Sequence, residues 1–150
     1  MNFVRDIMWA VQVVTVIKKN FPQAHITGVD IDPVIVAVGK QYFGLKEDEQ
    51  LEIVIADARV AVAKLLKENK QYDLIFVDMY TGYAVAQFAQ EETFLKIIYK
   101  LKTKTGCLIF NRLFFQKHKS EAEKFLDKLA KIFNDVSTVK VYANLLVKVS

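Results

Sequence analysis

The sequence predicts an α/β fold: a parallel sheet with helices on both faces, finished by an antiparallel hairpin. Three observations predict it. From residue 23 onward, short apolar runs of strand length alternate with amphipathic runs of helix length, the pattern of parallel strands joined by crossover helices. The run YDLIFVD, 72–78, is almost continuously apolar, as expected of a strand covered on both faces. Near the end, STVKVY (137–142) and LLVKVS (145–150) flank the short connector Ala143–Asn144, which reads as a hairpin.

The elements follow in order. Phe3, Ile7, Ala10, Val14 and Ile17 fall on one helical face, so residues 3 to 19 read as a helix, although VQVVTVI is β-branched enough to compete as a strand. HITGVDI is a strand that ends in acids. Asp32 then caps a helix over Pro33–Tyr42, with Pro33 at its first position and Gly44 beyond its end. LEIVIADA, 51–58, is the next strand, and Arg59–Asn69 a helix with Val62, Leu65 and Leu66 on one face. After YDLIFVD comes a helix over 91–102, then Gly106 opens the strand GCLIFNRL, 106–113. Ser120 with Glu123 three residues later makes a capping box for a helix to Phe133. No repeat, linker or low-complexity stretch interrupts the series, so residues 1–150 read as one domain.

Composition narrows the function classes. At 150 residues with 53% hydrophobic and 12% aromatic content, the chain can bury roughly two-thirds of its unfolded surface. No apolar run approaches the ~18 residues of a membrane span. The apolar N-terminus has Arg5 and Asp6 ahead of its run and no small-x-small cleavage site, so it is expected to belong to the fold. A single cysteine, Cys107, suits a reducing, cytoplasmic setting and is expected as a small buried hydrophobe. His25 and His118 stand alone, without metal-ligand spacing. The net charge of +4 is mild, and the lysines from 117 to 131 alternate with acids as on a solvated helix face. Nothing here points to nucleic acid.

Ligands in such sheets sit beyond the carboxyl ends of the strands. Asp30 ends one predicted strand, Asp57 the next, Asp78 the third, and Asn111 lies near the end of the fourth. A single acid there is ordinary turn and cap chemistry; three in series favour a shared rim. A carboxylate can accept both hydroxyls of a ribose diol, or an exocyclic amine, and hydrogen bonds to a charged group contribute on the order of 1.5–3 kcal/mol.

FPQAHITGVDIDPVIVAVGKQYFGL, IADAR, YDLIFVDMYTGY and ANLLVKVS, in that order, resemble segments of the spermidine synthase family, a branch of the class I S-adenosylmethionine-dependent methyltransferase fold. The resemblance runs from about Phe21 to the C-terminus and implies a Rossmann-like domain. It implies that Asp30 binds the ribose hydroxyls and Ile31 packs on the adenine. Asp57, with Ala58 beside it, would recognise the adenine amino group, and Asp78 would handle the attacking nucleophile. The donor would be S-adenosylmethionine or decarboxylated S-adenosylmethionine.

Two departures stand against that pattern. The family's glycine-rich loop should fall near residues 9–12, where this chain has Trp9, Ala10, Val11 and Gln12, and its first glycine is Gly28. With a helix there, the strand normally central to the sheet is lost. Its neighbours must then pair with each other, or a second copy must fill the gap as a homodimer. Secondly, Thr81 stands where polyamine-forming members carry a second acid that anchors the amine. Tyr80 and Tyr83 could wall an aromatic pocket or simply pack on the surface. Two readings follow: a nucleoside-binding transferase moving an aminopropyl or methyl group, or a truncated, non-catalytic relative acting as an oligomerising or interaction module. A nicotinamide-dependent enzyme fails on the same absent glycines.

Overall fold

The predicted alternation is realised, but the strands are divided between separate sheets. The structure, a computed structural model, describes residues 7–81 and 84–150, with side chains from residue 13 onward except at 81. In chain order the elements are α1 (Ile7–Asn20), β1 (Ile26–Asp30), α2 (Pro33–Tyr42), β2 (Leu51–Ile55), α3 (Ala58–Lys67) and β3 (Tyr72–Val77). A small antiparallel pair follows, β4 (Tyr80–Thr81) with β5 (Ala84–Val85), and then a 3-10 turn, Gln87–Gln90. The remainder is α4 (Glu92–Tyr99), β6 (Lys102–Leu113), α5 (His118–Ile132), β7 (Val136–Val141) and β8 (Asn144–Val149).

β1 and β2 run parallel, in register from Ile26 beside Leu51 to Asp30 beside Ile55. A second sheet has the order β3-β6-β8-β7, with β3 and β6 parallel and the other two pairings antiparallel. Among the described residues no strand stands between β1 and β3, and the two do not pair with each other. The Tyr72 hydroxyl faces Thr27 across this gap.

Side chains connect what backbone bonds do not. Successive residues of a strand point to opposite faces, and β3 uses both. Ile75 and Val77 enter the larger core with α3, α4 and α5, whereas Leu74 and Phe76 pack against the smaller core built from Val14, Ile17, Ile26, Val36, Leu45 and Leu51. Helices thus cover both faces, α1 and α2 on one and α3–α5 on the other. In the larger core Phe110, Leu108, Leu95, Leu129, Val147 and Val149 are sealed from solvent, and Phe110 meets Phe125 edge-on at 5.2 Å. Beside the smaller core, the outward residues of α2 remain apolar, with Val34 and Tyr42 66% and 69% exposed.

Local chemistry accounts for several boundaries. Asp32 Oδ1 accepts from the amides of Val34 and Ile35 at 2.8 and 3.4 Å, so the predicted cap of α2 forms with Pro33 at its first position. Gly44, at φ 68°, takes the left-handed turn after the helix, and the Leu45 amide returns to the Gly39 carbonyl at 3.1 Å.

Other boundaries differ from the sequence reading. α1 is helical from Ile7 to Asn20, so the expectation for residues 3 to 6 lies outside the described residues. The helix expected over 91–102 stops at Tyr99, and β6 starts at Lys102, ahead of Gly106. The cause is a bulge: Tyr72 pairs with Lys102, but Leu74 pairs with Cys107. A Cβ on Gly106 would stand 2.7 Å from the Asp73 carbonyl and 2.9 Å from that of Tyr72. This glycine permits a close backbone crossing inside a strand and does not open one. The predicted Ser120–Glu123 capping box is absent. α5 begins at His118 after Lys117, which makes no side-chain cap, because a left-handed Gln116 (φ 45°) turns the chain two residues early. The hairpin turns at Tyr142–Ala143, one residue before the expected connector, with Tyr142 at φ 50°. Cys107 is half-buried, not buried. No described helix is long and apolar enough to cross a membrane.

Candidate functional site

Parallel strands deliver the acids to their carboxyl ends. Asp30 is the last residue of β1, Asp57 follows β2 by two residues, and Asp78 directly follows β3. Because the Ala56 amide donates to the Asp30 carbonyl at 2.9 Å, Asp30 and Asp57 emerge side by side from one parallel pair. Asp78 leaves the other sheet.

Asp30 is half-buried. Its Oδ1 accepts from the Asp32 amide at 2.8 Å, an Asx turn that fixes the carboxylate. Its Oδ2 is buried without a hydrogen-bond partner among the described residues. A buried acceptor left unmade costs on the order of 1–3 kcal/mol, so this oxygen is a place where a donor gains most. Ile31, by contrast, is 67% exposed, an apolar side chain standing at the same rim.

Asp57 is engaged already. It caps α3 by accepting from the Arg59 amide at 2.8 Å, and the Arg59 guanidinium grips both of its oxygens, Nε at 3.0 Å and a terminal nitrogen at 2.6 Å. The guanidinium hydrogen bonds hold the Asp57 carboxyl below its ordinary range. Arg59 also lies 4.7 Å above the Phe88 ring. Its side chain is 61% exposed, so the pair is a surface ion pair, screened by water and weakly held. A ligand donor can displace it from one oxygen. Ala58 is the first residue of α3 and packs on the larger core.

Asp78 is 4% exposed, and the Asn111 amide nitrogen donates to its Oδ1 at 3.1 Å. Tyr80, which the sequence offered as a pocket wall, is tied down instead. The Leu113 amide donates to its hydroxyl at 2.8 Å, and that hydroxyl reaches the Asn111 carbonyl at 3.3 Å. Burial pushes the Tyr80 phenol upward. Tyr83 lies outside the described residues.

The sequence reading missed Arg112. It is 2% exposed, and none of its three guanidinium nitrogens has a hydrogen-bond partner among the described residues. Its carbon centre sits 3.7 Å over Phe125 and 5.9 Å from Phe110. Burial drives its pKa down to about 10, opposed by the pull of Tyr80 and Asp78, so it stays charged at neutral pH. The signal was present as a polar Asn-Arg pair closing an otherwise apolar strand. Among the described residues no cluster of three metal-ligating side chains occurs.

Positions 9–12 are part of α1 and not a loop. The glycine-poor stretch therefore folds as its composition dictates.

Comparison with known proteins agrees with this fold. The family model described as the spermine/spermidine synthase domain matches residues 11–147. A polyamine aminopropyltransferase of Vibrio vulnificus is 26% identical over 91 residues, covering 61% of this chain and 30% of that protein. An eEF1A lysine and N-terminal methyltransferase homolog of Drosophila melanogaster is 40% identical over 58 residues, covering 39% of this chain and 9% of that protein. The chain thus spans well under half the length of these relatives. Among solved structures, human methyltransferase-like protein 13 in complex with SAH superposes with a TM-score of 0.81 at 21% identity, covering 99% of this chain and 70% of that one. Spermidine synthase in complex with the transition state analogue AdoDATO superposes at 0.71 with 14% identity, covering 99% and 51%. With almost its whole length matched and its strands laid out as in these Rossmann-like structures, the chain belongs to the spermine/spermidine synthase domain family.

Proposed function

We propose that this chain is a single nucleoside-binding transferase domain that moves an aminopropyl or methyl group from an S-adenosyl donor to an amine or other nucleophile. The observation that carries the reading is the buried, unpartnered Oδ2 of Asp30 at the end of β1. A rigid carboxylate with one oxygen spent on an Asx turn and the other unsatisfied is suited to a ribose hydroxyl. Asp57 would accept the adenine amino group once Arg59 yields one oxygen, and the exposed Ile31 would pack on the ring. The donor, S-adenosylmethionine or its decarboxylated form, supplies when bound a carbon activated by a neighbouring sulfonium. Asp78, oriented by Asn111, holds the nucleophile and takes its proton. Positioning supplies most of the effect. Thr81, in place of a second acid, argues against a diamine acceptor.

The test is thermal unfolding with S-adenosylmethionine, its decarboxylated form and methylthioadenosine. At about 100 times its dissociation constant a ligand stabilises by about 2.7 kcal/mol, a rise of roughly 5–10 °C for a chain of this size. Asp30→Ala is expected to abolish that rise. A rise that persists in Asp30→Ala would remove the ribose role.

A second reading, a non-catalytic module that associates with a second copy or another protein, is favoured by one observation. β1 and β3 face each other with no described strand between them, and unpaired strand edges invite partners. Light scattering after size exclusion decides this point: a monomer at every concentration tested removes self-association.

A further inference from the structure

Beyond the three acids, the structure holds a second polar pocket at the same rim. It lies between β5 with the 3-10 turn after it and the start of α5, has a volume of about 470 Å³, and is lined among others by Val85, Gln90, Arg112, Lys117, His118 and Glu121. Arg112 and His118 are both buried, 2% and 8% exposed. His118 Nδ1 is 3.1 Å from Glu121 Oε2, so the one carboxylate among the described lining residues is already engaged. Arg112 lies over the faces of Phe125 and Phe110 and within the electrostatic reach of Tyr80 and Asp78, yet all three of its nitrogens lack hydrogen-bond partners among the described residues. Lys117, ahead of α5 and making no side-chain cap, adds a second cation. The amino end of a 15-residue helix adds partial positive charge.

A guanidinium stripped of water with its N–H groups unbonded is costly, and the group that satisfies them is a planar or tetrahedral oxyanion taking two N–H groups together. The volume suits a small molecule. Arg112 is the next-to-last residue of β6, beside Asn111, which orients Asp78. We propose that this pocket is an oxyanion subsite that holds a carboxylate or phosphate group of the acceptor, with Arg112 as its principal ligand and Lys117 as its second charge. The role as an acceptor subsite rests on the transferase reading above; the binding of an oxyanion does not. An anionic acceptor also fits the absence of a second acid at Thr81.

The experiment uses the full chain and follows the thermal midpoint and binding heat during titration with succinate and, separately, inorganic phosphate. Ionic strength is held constant with chloride. The expected result is saturable binding of one of the two anions, which also identifies the source. Binding is expected to be lost in Arg112→Met and weakened by about threefold to tenfold in Lys117→Ala. No saturable binding of either anion overturns the subsite, as does binding that survives Arg112→Met. If circular dichroism shows Arg112→Met unfolded, Lys117→Ala decides, and unchanged affinity there overturns it. A parallel titration with S-adenosylhomocysteine separates the two conclusions. Anion binding without nucleoside binding keeps the subsite and overturns the transferase reading; nucleoside binding without anion binding does the reverse.

Discussion

The two sheets are built to different standards. The β3-β6-β8-β7 sheet buries phenylalanine, leucine and valine to full exclusion of solvent. The smaller core under the β1–β2 pair clusters six buried residues among those described, of which two come from α1 and one from α2. Its helices leave Val16, Val34, Ile35, Val38 and Tyr42 in contact with water. Burial contributes roughly 25 cal/mol per Å² of apolar surface, so the second region has less holding it in place. Yet that region carries Asp30 and Asp57, the two nucleoside-binding candidates, while Asp78 and Arg112 stand on the firmer sheet. A rim whose two halves differ this much in support is expected to open on one side first.

Four measurements break or sharpen that contrast, beginning with the largest effect. Phe110→Ala removes a fully buried ring from the centre of the larger core and is expected to cost about 3–5 kcal/mol of global stability in chemical denaturation. A cost below 1 kcal/mol would mean the larger core is not the main determinant. Gly106→Ala drives a Cβ into two backbone carbonyls at the β3–β6 crossing, with an expected loss of about 1–3 kcal/mol by the same measurement.

Asp32→Ala removes the α2 cap and is expected to cost about 1 kcal/mol. If the β1–β2 region opens on its own, native-state hydrogen exchange will show this loss in the amides of β1, β2 and α2. The slowest amides of β6 and β8 will be unchanged. An equal loss in both sets would show a single cooperative unit.

The smallest effect is that of acid. Glu47, Asp48 and Asp57 are each held below the usual carboxylate range, chiefly by hydrogen bonds from Lys40, Lys18 and Arg59. All three belong to the β1–β2 region, against Glu92, held down by Lys96, on α4 of the larger core. A depressed folded-state pKa gives stability that is present above the unfolded value and lost as pH falls through the folded one. Lowering the pH below about 4 is therefore expected to speed exchange in β1 and β2 before it affects β6. Simultaneous loosening of both sheets would contradict the assignment.

Much of the fold was legible because it rests on local chemistry. Asp32, Pro33 and Gly44 announce α2 by cap, ring and turn, and α2 spans the predicted residues. The run 72–78 announces β3 by its apolar continuity. The errors have a common physical cause, which is that tertiary pairing overrode a local signal. Gly106 looked like a strand opener and is instead a crossing point set by the neighbouring β3 backbone. Ser120 and Glu123 had the spacing of a capping box, but the turn at Gln116 started the helix first. Of the candidate site, the positions of Asp30, Asp57 and Asp78 could be read from strand ends alone. The grip of Arg59 on Asp57 and the isolation of Arg112 could not, since both depend on which side chains the folded chain brings near.

Tyr80 and Tyr99 are both fastened to the larger sheet, through the Leu113 amide and the Ser150 carbonyl. Their phenol rings are thus built-in chromophores of the firmer half, whereas the peptide chromophore reports on every helix and strand alike. Optical records of the two bands through a single melt will overlay or separate, and that comparison reports the cooperativity of the rim without any label.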